Sequence, residues 1–322
     1  MLKIVRILVT GGTGFIGSAI VKDLLNSGHK VRVLDNNFRG AISRLDGFSD
    51  YEFIEGDIRD IELVKNVCKG VDVIVHAAFI NGTNRFYENP YEIIEVGING
   101  ASNIIKAIDL DTTKRIVLIS SSEVYQSPIK VPTPEEISLI IPDLRNPRYS
   151  YGGSKIASEL MFYYYCQYKG LDLQIIRPHN IYGPNMGNEH VVPQLNSKIF
   201  EAFQKKENTI EIQGSGYQTR AFCYIDDFVQ GLHAVMSIPP SQSQDVFNVG
   251  TDSEVSIYEL ATIIGSKYGL DLKFNTIDAP LGGTNRRCPD IGKIKKIGFK
   301  PTYNLEEGID RYVNWFKEIH KT

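Results

Sequence analysis

The sequence predicts an α/β protein built on a doubly wound parallel sheet with a smaller α/β C-terminal lobe, and three observations carry the prediction. Short apolar runs recur with helical patterns between them, at Ile4–Thr10, Lys30–Asp35, Tyr51–Glu55, Val71–Ala77, Arg115–Ser120 and Leu173–Arg177. That alternation calls for parallel strands joined by crossover helices. Two of the runs, Ile7–Val9 and Val73–Val75, are apolar without interruption, as in strands covered on both faces. Finally, the first run leads straight into Gly11, Gly14 and Gly17 and then into an apolar helix pattern.

That first junction, VRILVTGGTGFIG, has a physical purpose. A tight turn after a strand needs a residue free to take positive φ, a pyrophosphate needs backbone without a Cβ in its way, and the next helix must pack closely on the strand. The helix, beginning near Gly14–Gly17, offers unpaired N–H groups and a partial positive charge to phosphates. The second run ends at Asp35, eighteen residues after Gly17, where a carboxylate can accept hydrogen bonds from an adenosine ribose. Its charge repels a 2′-phosphate, although Arg39 stands close by. Ligands of such sheets bind beyond the carboxyl ends of the strands, and Gly11, Asp35, Asp57, Ala77, Ser121 and Asn180 all follow run ends. Beyond residue 178 the texture changes to Pro, Gly and Asn punctuation. The expected division is a dinucleotide-binding lobe of residues 1–178 plus about 222–249 and a substrate lobe of 179–221 plus 250–322. Phe222–Met236 reads as strand then helix, and Ser256–Tyr268 and Leu305–Lys317 as amphipathic helices.

The chain of 322 residues, 42% hydrophobic, with a formal net charge of −3, can bury a large core and carries no basic stripe, so nucleic acid is not an expected partner. No apolar stretch reaches membrane-spanning length. The N-terminal run, with Lys3 and Arg6 inside it, reads as a first strand and not as a leader, and the cytoplasm is the expected compartment. Cys68, Cys166, Cys223 and Cys288 are widely separated and form no metal-ligand spacing, so they read as reduced and structural, with no metal expected.

Tyr151 and Lys155, in YSYGGSKIASELM, stand four residues apart on a predicted helix and project from one face. Ionising a phenol with a pKa of about 10 at neutral pH costs roughly 4 kcal/mol. One cation at ~4 Å supplies an amount on that order at a surface-like dielectric, so Lys155 is positioned to make Tyr151 a base. Upstream, RIVLISSSEVY ends a buried strand in Ser120, Ser121, Ser122 and Glu123. Alternation along an extended chain would point Ser121 and Glu123 the same way, Ser121 to hydrogen-bond a substrate oxygen and Glu123 to accept or donate a proton; the alternative is that the serines cap a turn and Glu123 is solvated. His76 reads as a satisfied histidine at a strand end. His179 and His190 are candidates to line the cleft.

These motifs, TGGTGFIG, Asp35, Asp57 in EGDIRD, VIVHAA, SSSEVY, YGGSK, RPHNIYGP, GSGYQTRAF and RRCPDI, stand in the order found in the extended short-chain dehydrogenases/reductases, and the chain resembles their NAD-dependent nucleotide-sugar epimerase/dehydratase family over nearly its whole length. The resemblance implies a Rossmann-type fold and NAD as cofactor. It implies that Gly11, Gly14, Phe15, Ile16 and Gly17 hold the pyrophosphate, Asp35 the ribose, Asp57 and Ile58 the adenine, with Ala77 and Ala78 along the cofactor. It makes Ser121, Tyr151 and Lys155 the catalytic core, with Asn180, Arg220 and Arg287 facing the diphosphate of a nucleotide-sugar substrate and Ser122 beside the sugar. It also implies a homodimer formed through the helix bearing Tyr151 and Lys155; the aromatic run Phe162–Tyr165 with Tyr168 is read as core and subunit contact. Two departures stand out: Gly97 in EVGINGASN where relatives commonly carry Asn, expected to alter a cofactor-side hydrogen-bond network, and Gln126 where a glycine often follows VY, expected to reshape the substrate mouth.

By the same resemblance, the first step is oxidation at sugar C4, with Tyr151 taking the hydroxyl proton. The 4-ketone then acidifies the C5 hydrogen. With Glu123 as base, C5 deprotonation and loss of the C6 hydroxyl give a 4,6-dehydratase, the outcome favoured by the Ser-Ser-Glu arrangement, although Ser122 occupies the position where many dehydratases carry Asp. Turning the keto sugar over gives a C4-epimerase of the UDP-glucose 4-epimerase type, and a substrate carboxylate at C5 gives decarboxylation of a UDP-glucuronate kind. An NAD-binding sensor or scaffold is the reading outside enzymes, disfavoured by the intact Ser121, Tyr151 and Lys155.

Overall fold

The computed structural model describes residues 4–278 and 282–320; Lys3 lies outside them. Seven parallel strands form the central sheet: β1 (Arg6–Thr10), β2 (Lys30–Asp35), β3 (Tyr51–Glu55), β4 (Val73–His76), β5 (Arg115–Ile119), β6 (Asp172–Pro178) and a seventh, Gln244–Val249. Their order is Gln244–Val249, β6, β5, β4, β1, β2, β3, so the chain reverses direction of growth between β1 and β4, the place where such sheets bind nucleotides. Ile7 pairs with Val31 on one side and Val73 on the other. This is a Rossmann-type α/β fold. β1 starts two residues later than its apolar run, because its first partner is Lys30 and Ile4 is left 64% exposed.

The period-2 pattern of the inner strands divides the core. Ile7, Val9, Val73, Val75, Val117 and Ile119 face one apolar layer, while Leu8, Ile74, Ile116 and Leu118 face the other. Ile7, Leu8 and Val9 are wholly buried, each worth about 1.5–3 kcal/mol of transfer free energy. Five helices matter for the site: α1 (Phe15–Asn26), α2 (Ile61–Cys68), α3 (Thr83–Glu88), α4 (Pro90–Ala107) and α5 (Tyr149–Lys169). α4 and α5 pack side by side on one face, and α1 packs with Ile225–Met236.

The remaining strands are short. Thr219–Ala221 lies between Glu254–Ser256 and Arg286–Arg287, and the register places Arg220 opposite Arg287. The helices Ile257–Ser266 and Leu305–Ile319 each start in a capping box, Ser256 with Glu259 and Asn304 with Glu307, in which side chain and backbone satisfy each other's orphan groups. All four cysteines are free and buried. Among the described residues no helix is long and apolar enough to cross a membrane.

Candidate active site

A pocket opens at the carboxyl ends of β1, β2 and β4. Every residue assigned to the cofactor by resemblance lines it, Gly11, Gly14, Phe15, Ile16 and Gly17, then Asp35, Asp57, Ile58, Ala77 and Ala78, and Tyr151 and Lys155 of the catalytic core line it too. The glycines are required by geometry. Gly11 has φ +71°, and a Cβ there would fall 2.6 Å from Ala78 Cα; on Gly17 it would fall 1.9 Å from Gly11 O. No side chain caps α1, which leaves its first-turn N–H groups for a phosphate. Asp35 accepts the Thr13 and Asn37 N–H groups, each at 2.9 Å. A carboxylate has about four acceptor positions, so capacity remains for ribose hydroxyls. Arg39 is taken by Glu189 at 2.9 Å and is not a free cation for a 2′-phosphate. Hydrogen bonds from Arg59 hold the Asp57 carboxyl below its ordinary range, and the Ile58 side chain fits against Gly100, where a Cβ would meet it at 2.2 Å. The residues present therefore fit a dinucleotide.

Tyr151 and Lys155 lie one turn apart on α5, 5% and 4% exposed. Their coupling differs from the expectation. Lys155 Nζ donates to Ile119 O at 2.7 Å and lies 4.0 Å from the Phe79 ring centroid but 6.0 Å from that of Tyr151. Burial raises the Tyr151 phenol well above its ordinary value, with the Ser121 side chain, a hydrogen-bond partner, opposing the shift and Glu123 adding to it. Burial likewise draws Lys155 down to about 7 against the pull of Glu159. The phenolate is thus not preformed: its neighbouring cation is spent on a strand carbonyl, and desolvation penalises the charged form.

Ser121 and Glu123 do not alternate along a strand. β5 ends at Ile119, and Ser122–Val124 form a 3₁₀ turn capped by Ser121, whose Oγ accepts the Glu123 N–H at 3.1 Å. Ser121 thus both caps the turn and reaches Tyr151; Ser120, not Ser121, lines the pocket and donates to Glu159. Ser122 is buried in the turn. Glu123 is half-buried and paired. It receives Arg287 Nη1 at 2.6 Å, with Arg148 Nη2 at 3.8 Å. Burial would raise its carboxyl, but Arg287, Arg148 and Arg220 outweigh that and hold it at about 2. Arg220 and Arg287 both bond Thr284, through its carbonyl and its hydroxyl. Asn180 donates to Ala221 O at 3.1 Å, next to Arg220. The side chains of Ser121, Glu123, Arg220 and Arg287 are therefore brought into one polar cluster beside Tyr151.

The sequence reading missed Arg148, Phe79 and Phe86. Arg148 stands one turn before Tyr151, a spacing that could have revealed it. Phe79 meets Tyr151 edge-on at 5.1 Å, and Phe86 stacks on it at 4.9 Å; nothing local in the sequence announces these contacts. Of the two departures, Gly97 gives space to the Phe79 ring, which a Cβ would approach within 2.7 Å. Gln126 takes φ +50° itself and donates its amide to Glu123 O at 2.5 Å. His76 is satisfied by Thr10 Oγ1 at 2.8 Å, as expected. His190 lines the pocket. His179 does not; it is buried against Asn248 at 3.1 Å.

The model of the NAD dependent epimerase/dehydratase family matches residues 7–250. The chain is 32% identical over 319 residues to UDP-glucuronic acid decarboxylase 1 of Xenopus tropicalis, covering 97% of this chain and 72% of that one. Among solved structures, UDP-glucose 4-epimerase of Thermotoga maritima with UDP-glucose superposes with a TM-score of 0.86 at 26% identity, covering 98% of this chain and 99% of that one. The dTDP-glucose 4,6-dehydratase of Streptomyces venezuelae with NAD bound does so with a TM-score of 0.86 at 28% identity, covering 98% of both. With its glycine turn, strand-end carboxylates and Tyr-Lys pair in one pocket, the chain belongs to the NAD-dependent epimerase/dehydratase family.

Proposed function

We propose that this chain is an NAD-dependent enzyme that oxidises C4 of a nucleotide-linked hexuronate and releases its carboxyl group as carbon dioxide. The observation that carries the reading is Glu123 at the centre of Arg287, Arg148 and Arg220. A 4,6-dehydratase needs a carboxylate ready to take the C5 proton. Glu123, held at about 2 and spent on Arg287, is a weak base. Three arginines around one carboxylate leave positive charge in excess, and the Nε–H groups of Arg148 and Arg287 are buried without partners. Such a cluster suits a substrate bearing both a diphosphate and a carboxylate. The similarity to a protein named as a UDP-glucuronic acid decarboxylase supports the same class, with uridine as the base.

The glycine turn and Asp35 would hold NAD, which would supply a reversible hydride acceptor for C4. Once charge in the filled site has drawn Tyr151 into its ionised form, the phenolate accepts the C4 hydroxyl proton, with Ser121 beside it and Lys155 one helical turn away. The 4-ketone makes the sugar a β-keto acid: the C5–C6 bond breaks, its electron pair passes toward the C4 carbonyl, and carbon dioxide leaves without any group abstracting the C5 proton. Water then supplies a proton to C5 in place of the lost carboxylate, and the Tyr151 proton goes back to the C4 oxygen as the ketone is reduced. Asn180, Arg220 and Arg287 are proposed to hold the diphosphate, with Arg148 and Ser122 on the sugar side. The division into a cofactor lobe and a substrate lobe is proposed on the return of Gln244–Val249 to the central sheet. A homodimer through α5 is proposed on the exposure of Leu160, Tyr164 and Tyr168, the last 82% accessible.

Mass spectrometry of products from UDP-hexuronates and UDP-hexoses tests the reading. Loss of carbon dioxide from a uronate supports it. A product of unchanged mass makes the chain a C4-epimerase, the second reading, which the likeness to UDP-glucose 4-epimerase favours and which also needs no base beyond Tyr151. Loss of water from a hexose restores the dehydratase, and retention of NAD with no conversion leaves a sensor.

A further inference from the structure

Lys155 is supported in an unusual way. An ammonium carries three donors, and among the described residues Ile119 O is the hydrogen-bond acceptor it finds. Its next support is the face of the Phe79 ring, 4.0 Å from Nζ to centroid, an attraction that strengthens where water is excluded. Lys155 is 4% exposed. The ring fits there because α4 carries a glycine: a Cβ on Gly97 would fall 2.7 Å from Phe79 Cε2, 2.8 Å from Cζ and 2.9 Å from Ser154 Cβ. The same ring meets Tyr151 edge-on at 5.1 Å, with an interplanar angle of 90°. Phe79 therefore touches both members of the Tyr-Lys pair, and it stands where a polar side chain at position 97 would otherwise point.

We propose that Phe79 is a positioning residue for Lys155: its ring face, seated in the room that Gly97 leaves, holds the ammonium against the Ile119 carbonyl and one helical turn from Tyr151. The inference rests on the reading of Lys155 as part of the catalytic set. Leucine at position 79 keeps an apolar side chain but has no negative ring face, so Nζ loses its second anchor. Alanine at position 97 acts from the other side by displacing the ring. The expected cost in turnover is about tenfold, the size of a desolvated cation–π contact.

The experiment labels lysine with ¹³C at Cε and assigns the Lys155 resonance through Lys155→Met. The wild-type protein should show that resonance shifted upfield by the ring current of Phe79, and Phe79→Leu should return it to the position of the other lysines. Turnover on UDP-glucuronate should fall about tenfold in Phe79→Leu with KM nearly unchanged, and fall to an intermediate value when 3,5-difluorophenylalanine replaces Phe79 at nearly constant shape, because fluorination weakens the ring face alone. A Lys155 resonance without the ring shift overturns the proposal. So does a Phe79→Leu enzyme with wild-type turnover, or a difluorinated one that matches phenylalanine. If the ring shift is present but the wild type converts no nucleotide sugar, the placement of Lys155 by Phe79 stands and the reading of the reaction falls.

Discussion

Tyr151 makes a T-shaped contact with Phe79 and stacks on Phe86, and burial keeps its phenol protonated. Its ionisation must therefore be drawn out by charge brought into the pocket, coupling proton removal to the filled site. Tyr151→Phe removes only the acid-base atom; turnover should drop by about 10²–10⁴-fold while equilibrium dialysis finds NAD binding nearly intact. Near-normal turnover would remove Tyr151 from the chemistry. Arg287 makes the shorter of the two arginine contacts to the Glu123 carboxylate and carries an unpaired Nε. Arg287→Lys keeps the charge but gives up the fork, so KM for a UDP-hexuronate should rise about tenfold while KM for NAD stays put. Steady-state kinetics checks both. Tyr151 and Lys155 were legible because the i, i+4 spacing states their common face. That Lys155 bonds β5 instead of the phenol was not legible, because Ile119 lies 36 residues away.

The strand-turn-helix element from β1 to α1 was readable almost to the atom, since a glycine turn, a strand before it and a helix after it form one contiguous phrase. Its demands are steric and so are its failures. Gly17→Ala would drive a Cβ to 1.9 Å from Gly11 O, so the turn must open. Isothermal titration should find NAD affinity lowered by at least about a hundredfold, since the phosphate donors move with the turn; unchanged affinity would place the phosphates elsewhere. The turn after β5 was misread for the opposite reason. Alternation holds only while the chain stays extended, and Ser121 ends the extension by capping Ser122–Val124. Arg148, Arg220 and Arg287 come together from the N-cap of α5 and two short strands; the spacing of Arg148 from Tyr151 is local, but the convergence of the three is set by tertiary packing.

Across the molecule, burial leaves His76 and His179 down at about 3, desolvation being the largest cause for each. In the unfolded chain they titrate near about 6.5. Between those limits the unfolded chain binds protons that the native protein refuses, so stability rises with pH across the window and is lost as pH falls from 6.5 toward 3. Urea midpoints should decline over that range, and His76→Gln should flatten the decline; a midpoint unchanged from pH 7 to pH 4 would contradict the burial of neutral histidines. The most direct test of the whole account follows hydrogen through the reaction. UDP-glucuronate deuterated at C4 should give a primary isotope effect and a UDP-pentose that keeps its deuterium at C4, with carbon dioxide released. A UDP-hexuronate product that keeps its carboxyl group, or deuterium washed out into water, would contradict it.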